Sequence, residues 1–341
     1  MLDVFNNDVF NTFSLTTAID KLPYRPKRIG QMGLFKEKGE TTATVAVEER
    51  HGKLHLLSTK ARGEMSQGRS TERRKVRTFS VPHIPHNDVV MADEVMGVRK
   101  FGSEDELESV TEKVNEKLQK LKNDHEATWE WHRIRALHGV ILDGDGVTEI
   151  LDLFDAFGVT ETSFTWDFSL ETQAIKRQCL ELIRTIEDAL GDDAFTGVHA
   201  MCGNTFFDNL ITSPEIKVAY DRWQDGKFFR EQQRPVGGGG GGFEYGGIFW
   251  ENYRGQIGDV KFVADDVARF FPVGGDNTFT RHNAPANFIE AVNTPGKALY
   301  AKQERMKWDV GVEIHTQSNP LFLCTRPAVL IEGVDETPVE S

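Results

Sequence analysis

The feature that most limits how this chain can fold is one amphipathic run. Residues 103–138 carry Leu107, Val110, Val114, Leu118, Leu121, His125, Trp129 and His132 at three- and four-residue spacing, which makes a single stripe on a helix. Ser103 with Glu106 forms a capping box, and Glu104, Asp105, Glu106 and Glu108 load the first turns with the negative charge that a helix N-terminus favours. Gly139 ends the run. At roughly 1.5 Å per residue a helix over 103–138 spans about 54 Å, longer than most globular helices. Such a helix with one narrow stripe is a spine on which other elements are laid; a coiled-coil segment is the alternative. Residues 147–154 follow as a strand packed on that spine.

The segments before the spine have no core of their own. Residues 1–33 read as an arm, in which Val4, Phe5, Val9, Phe10, Phe13 and Leu15 are interrupted by polar residues before Pro23 and Pro26 block regular structure. Residues 41–48 and 53–58 are β-branched or apolar-rich and flank Glu49-Arg50-His51-Gly52, so a two-stranded hairpin with its turn at 49–52 is expected. Residues 60–77 then return as a basic limb poor in large apolar side chains. An isolated hairpin is marginal in water. Hairpin and limb together form an extended loop that is stable only against another surface, either the body of the chain or a neighbour.

From residue 170 onward helices and strands mix. Residues 169–190 read as an amphipathic helix stopped by Gly191, 197–203 as a buried strand and 204–211 as a short helix, and Pro214 opens another helix. Residues 248–253 and 260–263 read as strands, and the tail from 298 to 331 is strand-rich. Gly237, Gly238, Gly239, Gly240, Gly241 and Gly242 form an unbroken run that reads as a flexible loop.

Composition narrows the function. The chain has 341 residues, with 40 Lys and Arg against 53 Asp and Glu, a formal charge of −13. Residues 1–80 carry 15 basic and 9 acidic side chains, net +6; the remainder carries 25 and 44, net −19. The acidic total argues against a dedicated nucleic-acid binder. The split suits charge complementarity between copies of one chain, and two ordinary domains of different charge are the alternative. No apolar run is long enough to span a membrane, and the first residues lack the pattern of a secretory signal. Cys179, Cys202 and Cys324 are odd in number and scattered, as in a reducing compartment, and do not suggest a disulfide scaffold or zinc site.

The residues that could do chemistry do not assemble into a site. The glycine run is followed by Phe243-Glu244-Tyr245 and not by the Gly-Lys-Ser/Thr of a phosphate-binding loop. Asp143-Gly144-Asp145-Gly146-Val147 begins like a calcium loop, but Val147 holds a position that needs an oxygen donor, so a tight turn between spine and strand is expected. His83 and His86 lie beside Pro82 and Pro85 with no metal set to join, and His51 is expected at the surface or an interface. His125, Trp129 and His132 lie on the spine's own stripe and read as core. His199 and Cys202, three apart on a strand, face opposite sides and make no dyad. No catalytic, cofactor-binding or metal-ligating residue is assigned, and no cofactor is expected.

The order of parts resembles the major capsid proteins of tailed bacteriophages, specifically the lambda-type major head protein E family. The resemblance is carried by residues 69–88, with Phe79-Ser80-Val81-Pro82-His83-Ile84-Pro85, and by Val98-Arg99-Lys100-Phe101-Gly102 before the spine. It continues in Ala268-Arg269-Phe270-Phe271-Pro272-Val273-Gly274, Ala284-Pro285-Ala286 and Val292-Asn293-Thr294-Pro295-Gly296. The stretch Gln317-Ser318-Asn319-Pro320-Leu321-Phe322-Leu323-Cys324-Thr325-Arg326-Pro327 is most like the family.

The resemblance implies an α+β chain with the Hong Kong 97-like capsid fold. Residues 1–33 would be the N-terminal arm and 34–80 the E-loop, an extended β-hairpin. Residues 81–164 with 295–320 would form the peripheral P-domain carrying the spine, and 165–294 with 321–341 the axial A-domain. It further implies self-assembly into pentamers and hexamers of an icosahedral shell around packaged double-stranded DNA, held without sequence-specific binding. Scaffolding, portal and decoration proteins would be partners, and the protein would be found in the virion capsid after assembly in the host cytoplasm. No residue here justifies carrying over the lysine–asparagine crosslink of some relatives. On this reading Arg50, His51, Lys60, Arg62, Arg69, Arg73, Arg74, Lys75 and Arg77 are candidate contacts between subunits, and Gly237–Gly242 a candidate loop near a capsomer axis. Another phage structural component, or a cytosolic α/β enzyme, is the alternative.

Overall fold

A computed structural model describes residues 28–50, 74–96, 110–169, 174–191, 193–222, 242–257, 260–275 and 277–337. The chain enters this body through a short helix, α1 (Arg28–Met32), and an edge strand, β1 (Lys36–Gly39). Strands β2 (Thr44–Arg50) and β3 (Arg74–Ser80) form an antiparallel ribbon, and β4 (Ile84–Met91) leads through α2 (Ala92–Val95) toward the spine α3 (Val110–Leu137). A small hairpin, β5 (Val140–Leu142) and β6 (Glu149–Asp152), runs into α4 (Leu153–Phe157) and β7 (Thr162–Trp166).

The second half supplies α5 (Ala174–Leu190), β8 (Gly197–Cys202), α6 (Asn204–Thr212), α7 (Pro214–Arg222), β9 (Gly242–Tyr245) and β10 (Ile248–Asn252). It continues with β11 (Gln256–Ile257), β12 (Val260–Lys261), β13 (Val267–Val273) and β14 (Phe279–Asn283). The tail adds β15 (Tyr300–Arg305), β16 (Gly311–Ser318), β17 (Pro320–Cys324) and β18 (Ile331–Asp335). A mixed six-stranded sheet, ordered β7-β18-β13-β8-β10-β9, takes its second position from the end of the chain. Its core is aromatic: Trp250 meets Trp166 at 5.5 Å and Phe270 at 5.3 Å, both edge-on, a geometry that adds to plain burial.

The spine lies on a second sheet, β15-β16-β4. His125 places Nε2 3.0 Å from Thr316 Oγ1 and Nδ1 2.9 Å from Ser318 Oγ, and Trp129 Nε1 donates to Ser318 Oγ at 3.1 Å. A third sheet, β1-β14-β17, covers the C-terminal half of the helix. The guanidinium of Arg281 on β14 lies 4.2 Å over the Trp129 ring. One continuous hydrophobic cluster runs from Ile29 through the spine to Ile331, so the described elements share a core.

The expected stripe on the spine is present: Val114, Leu118, Leu121, His125, Trp129 and His132 are buried. The expectation of a single narrow stripe holds only for the N-terminal half. Glu126, Glu130, Trp131, Arg133, Ile134, Ala136 and Leu137 are buried too, because elements from both ends of the chain surround the last turns. Residues 97–109, including the expected capping box, lie outside the described residues.

Gly139 ends the helix with φ +83°, and a Cβ there would lie 2.1 Å from the Phe154 ring. Gly139→Ala therefore meets both left-handed strain and a ring that α4 holds in place. It should cost more than about 2 kcal/mol in subunit stability, read from denaturant midpoints.

Three other expectations are corrected. The hairpin does not turn at 49–52: β2 runs on through Glu49 and Arg50 and pairs with 74–80, while residues 51–73 lie outside the described residues. Buried Val45 and Phe79 are direct partners across the ribbon, and burying both fixes the register. The strand expected over 147–154 is only β6, because the Asp152 carboxylate accepts from Phe154 N at 2.8 Å and Asp155 N at 3.1 Å and starts a helix. The strand expected over 260–263 stops at Lys261, beyond which Phe262 and Val263 turn into the core.

Two spine histidines make stability depend on pH. Burial, aided by nearby His86 and His315, lowers His125 to about 4, and burial lowers His132 to about 4 against a small opposing pull from Asp143. An unfolded imidazole titrates near about 6.5, so between those values the unfolded state binds protons that the folded state refuses. Stability should be level above about pH 6.5 and fall toward pH 4, with a limiting slope of about 1.4 kcal/mol per pH unit for each ring. His132 Nε2 is buried without a hydrogen-bond partner. Burial also lowers His138 well below its ordinary value, and His315 is lowered too, so denaturant midpoints of a His132→Leu variant should show a slope that is shallower than wild type but not abolished.

Candidate assembly surfaces

The β2–β3 ribbon departs from the body at Ser80 and is fastened there by aromatic and basic groups. Phe79 stacks on Phe157 at 5.8 Å. The Arg77 guanidinium lies 5.2 Å over the same ring and donates to Phe157 O at 3.0 Å and to Ala156 O. Those carbonyls end α4, so the arginine caps a short helix as well as stacking on it. Arg77, expected to contact a neighbouring subunit, is thus engaged by its own chain.

Farther along the ribbon the register places Arg50 directly opposite Arg74, and Glu49 opposite Lys75. His51, Lys60, Arg62, Arg69 and Arg73 lie outside the described residues. Of the candidate axis loop, Gly237, Gly238, Gly239, Gly240 and Gly241 also lie outside. Gly242 does not behave as loop: it is buried in β9 opposite Glu251, and a Cβ there would lie 2.7 Å from the Phe249 ring.

One acidic stretch was not singled out in the sequence, though the signal is there. Between Arg135 and Lys176 the chain has no Lys or Arg and eight acidic residues. Asp143, Asp145, Glu149, Asp155 and Glu161 on this stretch are exposed. Glu161 pairs with Arg269 at 2.5 Å, and Asp145 holds the β5–β6 turn by accepting from Val147 N and Thr148 N at 2.9 and 2.8 Å. That turn was expected between the spine and a strand; it joins two strands.

A buried charge cluster fixes α1 to the body. Arg28 donates from Nε to Glu251 Oε1 at 2.5 Å and from a terminal nitrogen to Oε2 at 2.6 Å, and His199 Nε2 is 3.0 Å from Glu251 Oε2. Burial pushes the Glu251 carboxyl up, but the hydrogen bonds from His199 and Arg28 outweigh it and leave the group below its ordinary value. One turn away on the spine side, the Glu130 carboxylate accepts from Ile29 N at 2.8 Å and Gly30 N at 3.2 Å, satisfying amides at the start of α1.

The groups with chemical potential are committed to structure. Burial raises Cys179 and Cys324 to about 12 and Cys202 well above its ordinary value, so none presents a thiolate. His83 Nδ1 is 3.0 Å from Asn319 Oδ1, and His86 Nε2 is 3.1 Å from Asp124 Oδ2. Among the described residues no three His, Cys, Asp or Glu side chains gather as metal ligands, and no helix is long and apolar enough to cross a membrane.

Comparison with known proteins identifies the family. The major capsid protein of Pseudomonas phage KPP10 is 28% identical over 349 residues, covering 95% of this chain and 97% of the relative. That of Salmonella phage Felix O1 is 26% identical over 352 residues, covering 93% and 94%. The crystal structure of the putative capsid protein of an E. coli CFT073 prophage matches with a TM-score of 0.56 at 12% identity, over 96% of this chain and 99% of that one. A chain of the bacteriophage PhiM1 mature capsid matches with a TM-score of 0.52 at 10% identity, over 89% and 85%. These likenesses give the fold as the Hong Kong 97-like capsid class. The phage major capsid protein E family matches residues 11–334, nearly the whole length, and this chain belongs to that family.

Proposed function

We propose that this major capsid protein builds an icosahedral shell of pentamers and hexamers around double-stranded DNA, and that its basic ribbon is the main steering contact between subunits. The observation that carries the contact is the ribbon itself. It places basic residues opposite each other at Arg50 and Arg74 and extends from a body whose net charge beyond residue 80 is −19. The limb carrying Lys60, Arg62, Arg69, Arg73, Arg74 and Lys75 would lie on the acidic 143–161 stretch of the adjacent subunit, giving electrostatic guidance and register.

In this reading the role is structural, with no reaction and no cofactor. Assembly takes place in the host cytoplasm with scaffolding and portal proteins, and a decoration protein reinforces the finished shell. A net-negative wall holds DNA without gripping it, since strong phosphate contacts would resist both packaging and release. The domain division into an arm (1–33), E-loop (34–80), peripheral domain (81–164 with 295–320) and axial domain (165–294 with 321–341) belongs to the same proposal. So does a place for the glycine run near a capsomer axis, where it could adopt different conformations in five-fold and six-fold settings.

The test is negative-stain imaging with size-exclusion chromatography of the expressed full chain. Shells or capsomer-sized particles are expected. A stable small monomer or dimer under all conditions, with or without the other head proteins, would overturn the reading.

A further inference from the structure

Three non-glycine residues among those described have left-handed backbone: Asn293 at φ 60°, Trp308 at φ 69° and Asp309 at φ 53°. Asparagine and aspartate adopt this conformation readily, whereas for a bulky side chain it is an outlier that the surrounding structure must impose. Trp308 sits at the tip of the β15–β16 hairpin, and its side chain is 93% exposed. The turn is pinned without it. Met306 N donates to Gly311 O at 3.0 Å, Asp309 N to Met306 O at 3.2 Å, and Ala92 N to Val310 O at 3.0 Å. The indole therefore contributes nothing visible to the subunit that strains its backbone to hold it out.

It is not alone at that end of the sheet. Val310 is 43% exposed, and Met96, just past the short α2 helix that begins at this tip, is 78% exposed. The three form an apolar end to the sheet that carries the spine. Lys307 and Asp309 flank the indole with opposite charges, so the tip is electrically neutral and suits an apolar protein surface better than a polyanion.

We propose that Trp308 is an anchor between subunits, inserted into a second copy of this chain. The left-handed turn is then a local cost of folding that assembly recovers. A second copy is the occupant that fits because the family is one of shell-building subunits, whose edges meet other copies. The chemistry agrees, since tryptophan is prominent among the residues that dominate protein interfaces. This inference rests on the shell reading above.

The test uses the full chain expressed alone, so that no other virion protein can cover the tip. Trp308→Gly removes the indole and relieves the strain together. The variant should fold with a Tm equal to wild type or higher by about 2 °C, yet need at least about tenfold more subunit to assemble. Trp308→Phe, which keeps an aromatic anchor, should stay within about threefold of wild type.

A second readout needs no loss of the anchor. Cys179, Cys202 and Cys324 are fully buried, so in a Lys307→Cys variant a maleimide reagent should modify only the new thiol. It should react quickly in free subunits and at least about tenfold more slowly in shells. Shells formed by Trp308→Gly at wild-type concentration would overturn the inference, as would a thiol equally reactive in shells and subunits. Protection that appears only after another virion protein is added would also overturn it. Failure of the wild-type chain to form any shell would instead strike the reading beneath it.

Discussion

Changing Arg73, Arg74 and Lys75 together to glutamate is expected to leave folded subunits and no shells. Each change moves the charge by −2, so the subunit goes from −13 to −19, with the change at the start of β3 and the residue before it. The fold has little stake in these positions: β3 is held by the pairing of Val45 with Phe79 and by Arg77 against α4, all nearer the root. The subunit Tm should stay within about 2 °C of wild type.

On the proposed reading assembly has a large stake, because a ribbon contact would recur at every subunit and reversed charge would turn attraction into repulsion. Negative-stain images should show no particles, and sedimentation should show free subunits. Adding Glu149→Lys and Asp155→Lys, which reverses part of the opposing stretch, should restore some assembly. High salt should weaken wild-type assembly in the same direction, since the screening length shortens from about 10 Å at 0.1 M to about 3 Å at 1 M. Normal shells from the triple variant would remove the ribbon from the account of assembly.

The largest effect on the subunit itself is expected at Glu251. Its carboxylate is 2% exposed and takes both donors of Arg28 and the ring of His199. Glu251→Ala leaves a largely buried guanidinium and a buried imidazole without their acceptor, a loss of about 3–5 kcal/mol. Urea midpoints should fall accordingly, and amide exchange in Arg28–Met32 should speed up, because that helix is fastened to the body at both Glu251 and Glu130.

The pH dependence follows from the lowered carboxyl. Its contribution is complete above the unfolded carboxylate range, near about pH 4.3, and is lost as pH falls through the folded value. This loss therefore begins below the window in which His125 and His132 act, so acid should weaken the subunit in two stages. A variant as stable as wild type at neutral pH would show that the Arg28 clamp does not hold the arm root.

Much of the architecture is legible from spacing. The three- and four-residue stripe of the spine, the glycine stops at Gly139 and Gly191, and the proline opening of α7 are local signals, and each appears where it was expected. The strands Gly197–Cys202 and Ile248–Asn252 are legible for the same reason. The family itself was legible from the order of parts and from stretches such as 317–327.

What failed was pairing. The sequence near 49–52 looks like a tight turn because its composition suits one, but the strand continues: its partner lies more than twenty residues on, and the buried Val45–Phe79 pair sets the register. Arg77 looked like part of a basic patch, and only the position of α4 turned it into a cap. Gly242 looked like the sixth member of a flexible run, and only the Phe249 ring pressed against it makes it a packing requirement.

By itself, then, the sequence determined most of the elements and the charge split, because these depend on residues within a few positions of each other. Only the tertiary structure decided that Arg77 is engaged by its own chain, that Glu130 and Glu251 clamp the first described helix, and that a tryptophan is held outward in a strained turn. Each of those depends on groups that are distant in the chain, or on a backbone angle that spacing does not encode. The long helix is the clearest case. Its stripe announced a spine, but the burial of most of its last half comes from strands near both ends of the chain that pack around it.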